Sequence, residues 1–216
     1  MKIIIPPLTK GFLVSSVGLL YVGAVLFING LMLLGKIPGK SAAVLNFFVG
    51  AMQIVFPTII LAQANGDPAV ILGASGLYLF GFTYLYVGFN QVFELSGEGL
   101  GWFSLFVAIT AVVMGIVQFT QTNDPVFGVI WFVWAILWTL FFLLLGLGMQ
   151  SLNDFTGWFT IFVAFLTGTI PALMLLTGNY VSTAREAIWL VVLAAVAIGA
   201  SFALSTKYRA SQPITV

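Results

Sequence analysis

The chain has no cysteine and no histidine. Disulfides, thiol catalysis, imidazole metal ligands and histidine-based pH sensing are therefore absent by composition. Charge is nearly as scarce. Seven Lys or Arg and six Asp or Glu make up 6% of the residues, where a soluble domain carries about 25%. A net charge of +1 offers no footing for a nucleic acid. The carboxylates all fall at breaks between apolar stretches, which leaves no buried Asp or Glu for a proton relay of the kind ion-coupled carriers use. Inside those stretches only hydroxyls and amides remain, with no base to activate them, so an enzyme is not expected. Nothing in the composition calls for a cofactor or a metal.

What is present is apolar: 61% of the residues are hydrophobic and the mean hydropathy is +1.16. A lone charge at membrane depth costs several kcal/mol, about 3 by insertion scales, and a helical span needs roughly 20 apolar residues. Charges at Lys36 and Lys40, Asp67, Glu94 and Glu98, Asp124, Asp154, and Arg185 and Glu186 delimit seven such runs. The spacing predicts spans near 11–34, 41–63, 69–92, 101–121, 126–149, 156–178 and 187–205. The fold class is an all-α integral membrane protein. A tail at 1–10 precedes a six-helix unit at 11–180. A further transmembrane helix at 185–206 and a tail at 207–216 follow. Pro6 and Pro7 interrupt the first ten residues, which do not read as a signal peptide. Lys36, Lys40, Lys207 and Arg209 on one side, against Lys2, Lys10 and Arg185 on the other, place the N-terminus outside and the C-terminus inside.

Three of the spans repeat. Val44-Leu45-Asn46-Phe47-Phe48-Val49-Gly50, Trp102-Phe103-Ser104-Leu105-Phe106-Val107-Ala108 and Trp158-Phe159-Thr160-Ile161-Phe162-Val163-Ala164 align without gaps. The same alignment superposes the helix weakeners Pro57, Gly115 and Pro171. Coincidence in Phe- and Val-rich sequence is the alternative. If the repeat is real, the first six spans are three like hairpins, which close into a ring with a path along its axis, where membrane carriers keep their sites. In the seventh span Ala195, Gly199 and Ala203 form a small-residue stripe, suited to close packing or else facing lipid.

Trp131, Trp134 and Trp138 share one helical face in mid-span, away from the interfacial belts where tryptophan usually sits. Phe80 and Tyr84 share a face of the third span. These rings either line a path or pack against neighbouring helices. Asn29 and Asn90 suit capping near span ends, and Gln53 and Gln118 suit hydrogen bonding between helices. A path walled by indole and phenyl faces replaces no ion's hydration shell and so excludes ions. A small, flat, neutral molecule such as urea or a short amide loses little on entering.

At these residues the chain resembles the AmiS/UreI family of bacterial urea and short-chain amide channels. The matching strings are Leu20-Tyr21-Val22-Gly23 with Asn29-Gly30, then Asn46 to Gly50, then Leu79 to Tyr86 with Asn90. They continue through Ser104 to Ile109, the Trp131, Trp134, Trp138 set, and Thr167 with Ile170-Pro171-Ala172. The resemblance covers the six-span core and not the seventh helix. It implies that each protomer has its own pore and that protomers form a homo-oligomer, a hexameric ring, in the cytoplasmic membrane of a bacterium. It implies downhill flow of urea or small amides, coupled functionally to a cytoplasmic amidase or urease. Carried over by position, the aromatic wall is Phe80, Tyr84, Trp131, Trp134 and Trp138, and the aliphatic lining includes Leu19, Val22, Leu26 and Leu137. Two departures stand out. The acid-gated urea channels of this family carry histidines in a long loop after the second span, reduced here to Ala64 to Pro68. They also carry a glutamate in the sixth span, where this chain has Val163. The expectation is a channel that is not acid-gated, on the amide-transporting branch. The alternative is an ion-coupled carrier of a small polar solute. A seven-helix photoreceptor is excluded, because the last span has no lysine for a Schiff base.

Overall fold

Proline and charge set the helix starts. The computed structural model describes residues 10–211. Asp67 and Asp124 each precede a proline, and each carboxylate caps the helix it opens: Asp67 Oδ1 accepts from Ala69 N at 2.9 Å, and Asp124 Oδ1 from Phe127 N at 3.0 Å. The helices are α1 (Lys10–Leu33), α2 (Gly39–Ala62), α3 (Pro68–Phe93), α4 (Glu98–Thr120), α5 (Pro125–Phe141), α6 (Asn153–Val163), α7 (Ile170–Leu176) and α8 (Ala184–Ser211). A π-helical turn, Phe142–Gly146, prolongs α5, and another, Ala164–Thr169, joins α6 to α7 into one span. Seven segments are long and apolar enough to cross a membrane. The reading of an all-helical, seven-span protein holds.

Two boundaries differ from expectation. The last helix continues through Ser211 rather than ending near 206, since neither Lys207 nor Arg209 breaks a helix. The sixth span is divided where a uniform helix is expected. Pro171 has no N–H for the carbonyl of Thr167 and crowds it, and the wider π turn accommodates that gap. Apart from Lys10, the tail at 1–10 lies outside the described residues, as do residues 212–216.

The first six spans form a closed ring, each packed on the next and the sixth returning to α1. The most intimate pairs are α2 with α3, α4 with α5, and α1 with the α6–α7 span. Glycine sets this closeness. A Cβ on Gly101 would lie 2.1 Å from the backbone N of Gly146, and one on Gly23 would lie 2.8 Å from that of Thr169. The internal repeat is structural. Asn46, Ser104 and Thr160 are all buried, and each donates to the carbonyl four residues back: Ala42 at 2.9 Å, Leu100 at 2.8 Å and Thr156 at 2.6 Å. Val49, Val107 and Val163 are buried in the same register, as are Pro57, Gly115 and Pro171.

Helix α8 stands outside the ring, against α6 and α5. It buries Ala187, Leu190, Ala197, Ser201 and Ser205. The Ala195–Gly199–Ala203 stripe faces away, with nothing within 4 Å of a Cβ on Gly199. Of the two readings, the stripe is not the surface that holds α8 to its own protomer.

Candidate solute pathway

Among the described residues, two cavities lie inside the ring. The wider, of about 310 Å³, opens toward the end that carries Asp124. Leu19, Val22, Gln53, Phe80, Trp131 and Trp134 line it. The narrower, of about 90 Å³, lies toward the end of α1 and α3 that carries Met32 and Gln91, and Leu26, Asn29, Thr83, Tyr84 and Trp138 are among its walls. The two share no lining residue. Between them stands a layer of rings. Phe80 and Trp134 face one cavity, and Tyr84 and Trp138 face the other. Phe80 and Tyr84 are four residues apart on α3, as Trp134 and Trp138 are on α5, so the layer is one helical turn deep, about 6 Å.

Phe80 is the centre of this layer. Its ring meets Trp134 edge-on at 4.7 Å, Trp138 edge-on at 5.1 Å, Trp131 at 5.8 Å and Tyr84 at 6.4 Å. Trp131 and Trp134 are themselves edge to face at 5.0 Å. All five rings are buried. The structure thus gathers Phe80, Tyr84 and the three indoles, together with Leu19, Val22 and Leu26, around two cavities and the layer between them. Leu137 is the exception among the residues singled out from the sequence. It is fully buried but lines neither cavity.

The polar groups sort into two kinds. Trp134 Nε1 donates to Thr167 Oγ1 at 2.8 Å, and Thr167 Oγ1 donates in turn to the Val163 carbonyl at 2.7 Å. The π turn Ala164–Thr169 carries Thr167, so an irregular piece of backbone orients an indole of the aromatic layer. Six buried side-chain atoms among the described residues lack a hydrogen-bond partner, and three of them belong to cavity-lining residues: Tyr84 OH and Trp138 Nε1 at the narrow cavity and Gln53 Oε1 at the wide one; Asn90 Oδ1, Thr156 Oγ1 and Trp158 Nε1 lie elsewhere. A buried polar atom left unpaired costs free energy, about 1–3 kcal/mol.

Several assignments from sequence change. Asn29 does not cap. It forms a reciprocal carboxamide pair with Asn46 of α2, at 3.0 and 2.7 Å. Asn90 does serve its helix end, donating to the Ser96 carbonyl at 3.4 Å. Gln118 accepts locally from Thr122 Oγ1 at 2.6 Å, and Gln53 Oε1 meets no partner among the described residues. The sequence reading gave no role to Thr167, because its partner is 33 residues away.

The mouth of the wide cavity is fastened by Asp124. Besides capping α5, its Oδ1 accepts from Tyr180 OH at 2.8 Å and Ser182 Oγ at 2.5 Å. The connection into α8 is thereby clasped onto the turn before α5. Burial, followed by the neighbouring Asp124 charge, pushes the Tyr180 phenol well above the ordinary tyrosine range, so it stays protonated as the donor.

Residues 14–179 match the sequence model of the AmiS/UreI family transporters. A Rhodococcus erythropolis protein carrying the transporter name AmiS2 is 62% identical over 169 residues, which span 78% of this chain and 82% of that protein. A Mycolicibacterium smegmatis protein named as a transporter of amidate substrates is 54% identical over 166 residues, 77% of this chain and 78% of that protein. The Helicobacter pylori acid-activated urea channel is 35% identical over 191 residues, 76% of this chain and 97% of that protein. The Helicobacter pylori urea channel in its closed state superposes with a TM-score of 0.70, covering 77% of this chain and all of that one. The chain therefore belongs to the AmiS/UreI family, and it is a multi-pass membrane protein of this family of transporters and channels rather than an enzyme.

Proposed function

We propose that the protein is a passive channel for urea and short-chain aliphatic amides. Solute crosses between the two cavities through the layer of Phe80, Tyr84, Trp131, Trp134 and Trp138. The observation that carries this reading is the pair of buried groups without a partner among the described residues, Tyr84 OH and Trp138 Nε1, on the far side of the aromatic layer. Both can donate to a carbonyl, which planar amides and urea carry. The rings offer no replacement for an ion's hydration shell, so an ion meets only the desolvation penalty. Across this layer the cavity walls hold no acid or base that works near neutral pH, and the carboxylate of Asp124 lies at the mouth. That arrangement favours downhill flow over ion coupling.

The same reading extends to setting and control. The channel is not acid-gated, for want of any histidine. The N-terminus is outside and the C-terminus inside, in the cytoplasmic membrane of a bacterium. The protomers associate as a hexamer around six-helix units, and flux feeds a cytoplasmic amidase or urease.

Stopped-flow light scattering of proteoliposomes with urea, formamide, acetamide and glycerol tests the reading. Urea and the amides enter faster than glycerol, with no dependence on an imposed sodium or proton gradient. Trp138→Ala changes the ratio of amide to glycerol flux while the protomer stays folded. Gradient-driven uptake would establish the carrier instead. Unaltered permeability in Trp138→Ala would reduce these indoles to packing.

A further inference from the structure

The fold contains two carboxamide sites on one face of α2, and only one of them is paired. Asn46 and Gln53 are seven residues apart, two helical turns, and both are fully buried. Asn46 meets the carboxamide of Asn29 in a reciprocal pair, each side chain donating to the other's oxygen, at 2.7 and 3.0 Å. Gln53 carries the same chemical group at the wall of the wide cavity, beside Phe80 and Trp134, and its buried Oε1 has no partner among the described residues. Gly18 of α1 faces this headgroup. A Cβ there would come within 3.1 Å of Gln53 Nε2, so the glycine leaves the carboxamide its space.

We propose that Gln53 is the residue that reads the solute as a primary amide, by making with it the reciprocal two-bond pair that Asn46 makes with Asn29. This rests on the channel reading above and adds to it a specificity-determining residue and a solute geometry. A carboxamide offers an acceptor and two donors. A ring of two N–H···O bonds forms only with a molecule whose N–H lies on the same side as its C=O. Acetamide, propionamide and urea have that hydrogen. A secondary amide in its preferred trans form does not, and can make a single bond at most. At the edge of the aromatic layer the pair replaces hydrogen bonds to water that the solute gives up on entering. The amide then passes to a second polar station, where Trp138 Nε1 and Tyr84 OH present donors to its carbonyl.

Propionamide and N-methylacetamide are isomers of one formula and nearly one size, and they differ in this hydrogen. Permeability to each is measured in proteoliposomes by stopped flow, with protein-free vesicles subtracted. The wild-type channel favours propionamide over N-methylacetamide by about fivefold, one net hydrogen bond. Gln53→Met, which keeps the length of the side chain and removes the amide, brings the ratio close to one. Gln53→Asn, which withdraws the headgroup by one methylene, lowers the ratio as well, and it decides the matter should Gln53→Met not fold. A wild-type ratio near one, or a ratio that neither substitution changes, overturns the role of Gln53 and leaves the channel intact. A wild-type protein that conducts neither isomer, nor urea or acetamide, overturns the channel reading and this inference with it.

Discussion

Thr167 is the most economical place to ask whether the aromatic layer is a tuned barrier. Thr167→Val preserves the shape of the side chain and removes the oxygen that accepts from Trp134 Nε1 at 2.8 Å. Donor and acceptor are both buried, so the indole N–H loses its partner inside the packed layer. An unpaired buried N–H costs about 1–3 kcal/mol, whereas pairs between membrane helices average about 0.6 and reach about 1.7 kcal/mol. The indole sits in a packed layer away from lipid, and about 1 kcal/mol is the expected loss. For a chain of this size that lowers the thermal midpoint by about 2–4 °C, read by thermal unfolding in detergent. The functional consequence is larger than the stability change suggests. Trp134 packs edge-on against Phe80 at 4.7 Å and against Trp131 at 5.0 Å, and the hydrogen bond is what orients it. Released, the indole samples other rotamers and the layer discriminates less. The urea-to-glycerol permeability ratio falls about fivefold if that ~1 kcal/mol is lost in full from the barrier's discrimination. Thr167→Ser retains the hydroxyl and restores the ratio. A Thr167→Val channel with both the wild-type ratio and the wild-type midpoint would refute the idea that this bond sets the barrier.

Two further expectations follow from the packing and the titratable groups. Gly101→Ala prevents normal assembly of α4 against the turn after α5, because the new Cβ meets backbone at 2.1 Å that no side-chain rotation relieves. Gly199→Ala leaves the midpoint of a single protomer nearly unchanged, and size-exclusion chromatography with thermal unfolding separates the two cases. Urea flux varies by less than about twofold between pH 5 and 7.5, since only histidine ordinarily titrates there and the chain has none. Steep activation by acid in vesicles would show that another group gates the path.

Much of this architecture is written along the chain because the bilayer acts on sequence one residue at a time. A charge tolerated only outside the hydrocarbon marks a boundary wherever it occurs. Lys36, Asp67, Glu94, Asp124 and Asp154 therefore delimit the spans before any packing is known. The repeat was legible for a related reason. Asn46, Ser104 and Thr160 occupy equivalent positions in a threefold ring and meet the same local demand, a polar group that returns a hydrogen bond to its own helix. The Trp131, Trp134, Trp138 face followed from helical period alone.

Only the tertiary structure decided which of these faces meet and what each polar group does there. Gln53 and Asn29 look alike in sequence, each an amide in an apolar run. Asn29 is paired across helices with Asn46, whereas Gln53 lines a cavity with its buried oxygen unpaired. Thr167 becomes the latch of Trp134 through a bond between residues 33 apart, carried by a π turn that no periodicity announces. Leu137 falls behind the wall while its neighbour Trp138 lines the narrow cavity. Apolar length is a property of a segment and can be read one segment at a time. The identity of a neighbour is a property of the closed ring, and glycine contacts such as Gly23 on Thr169 and Gly101 on Gly146 settle it only when all six spans are in place.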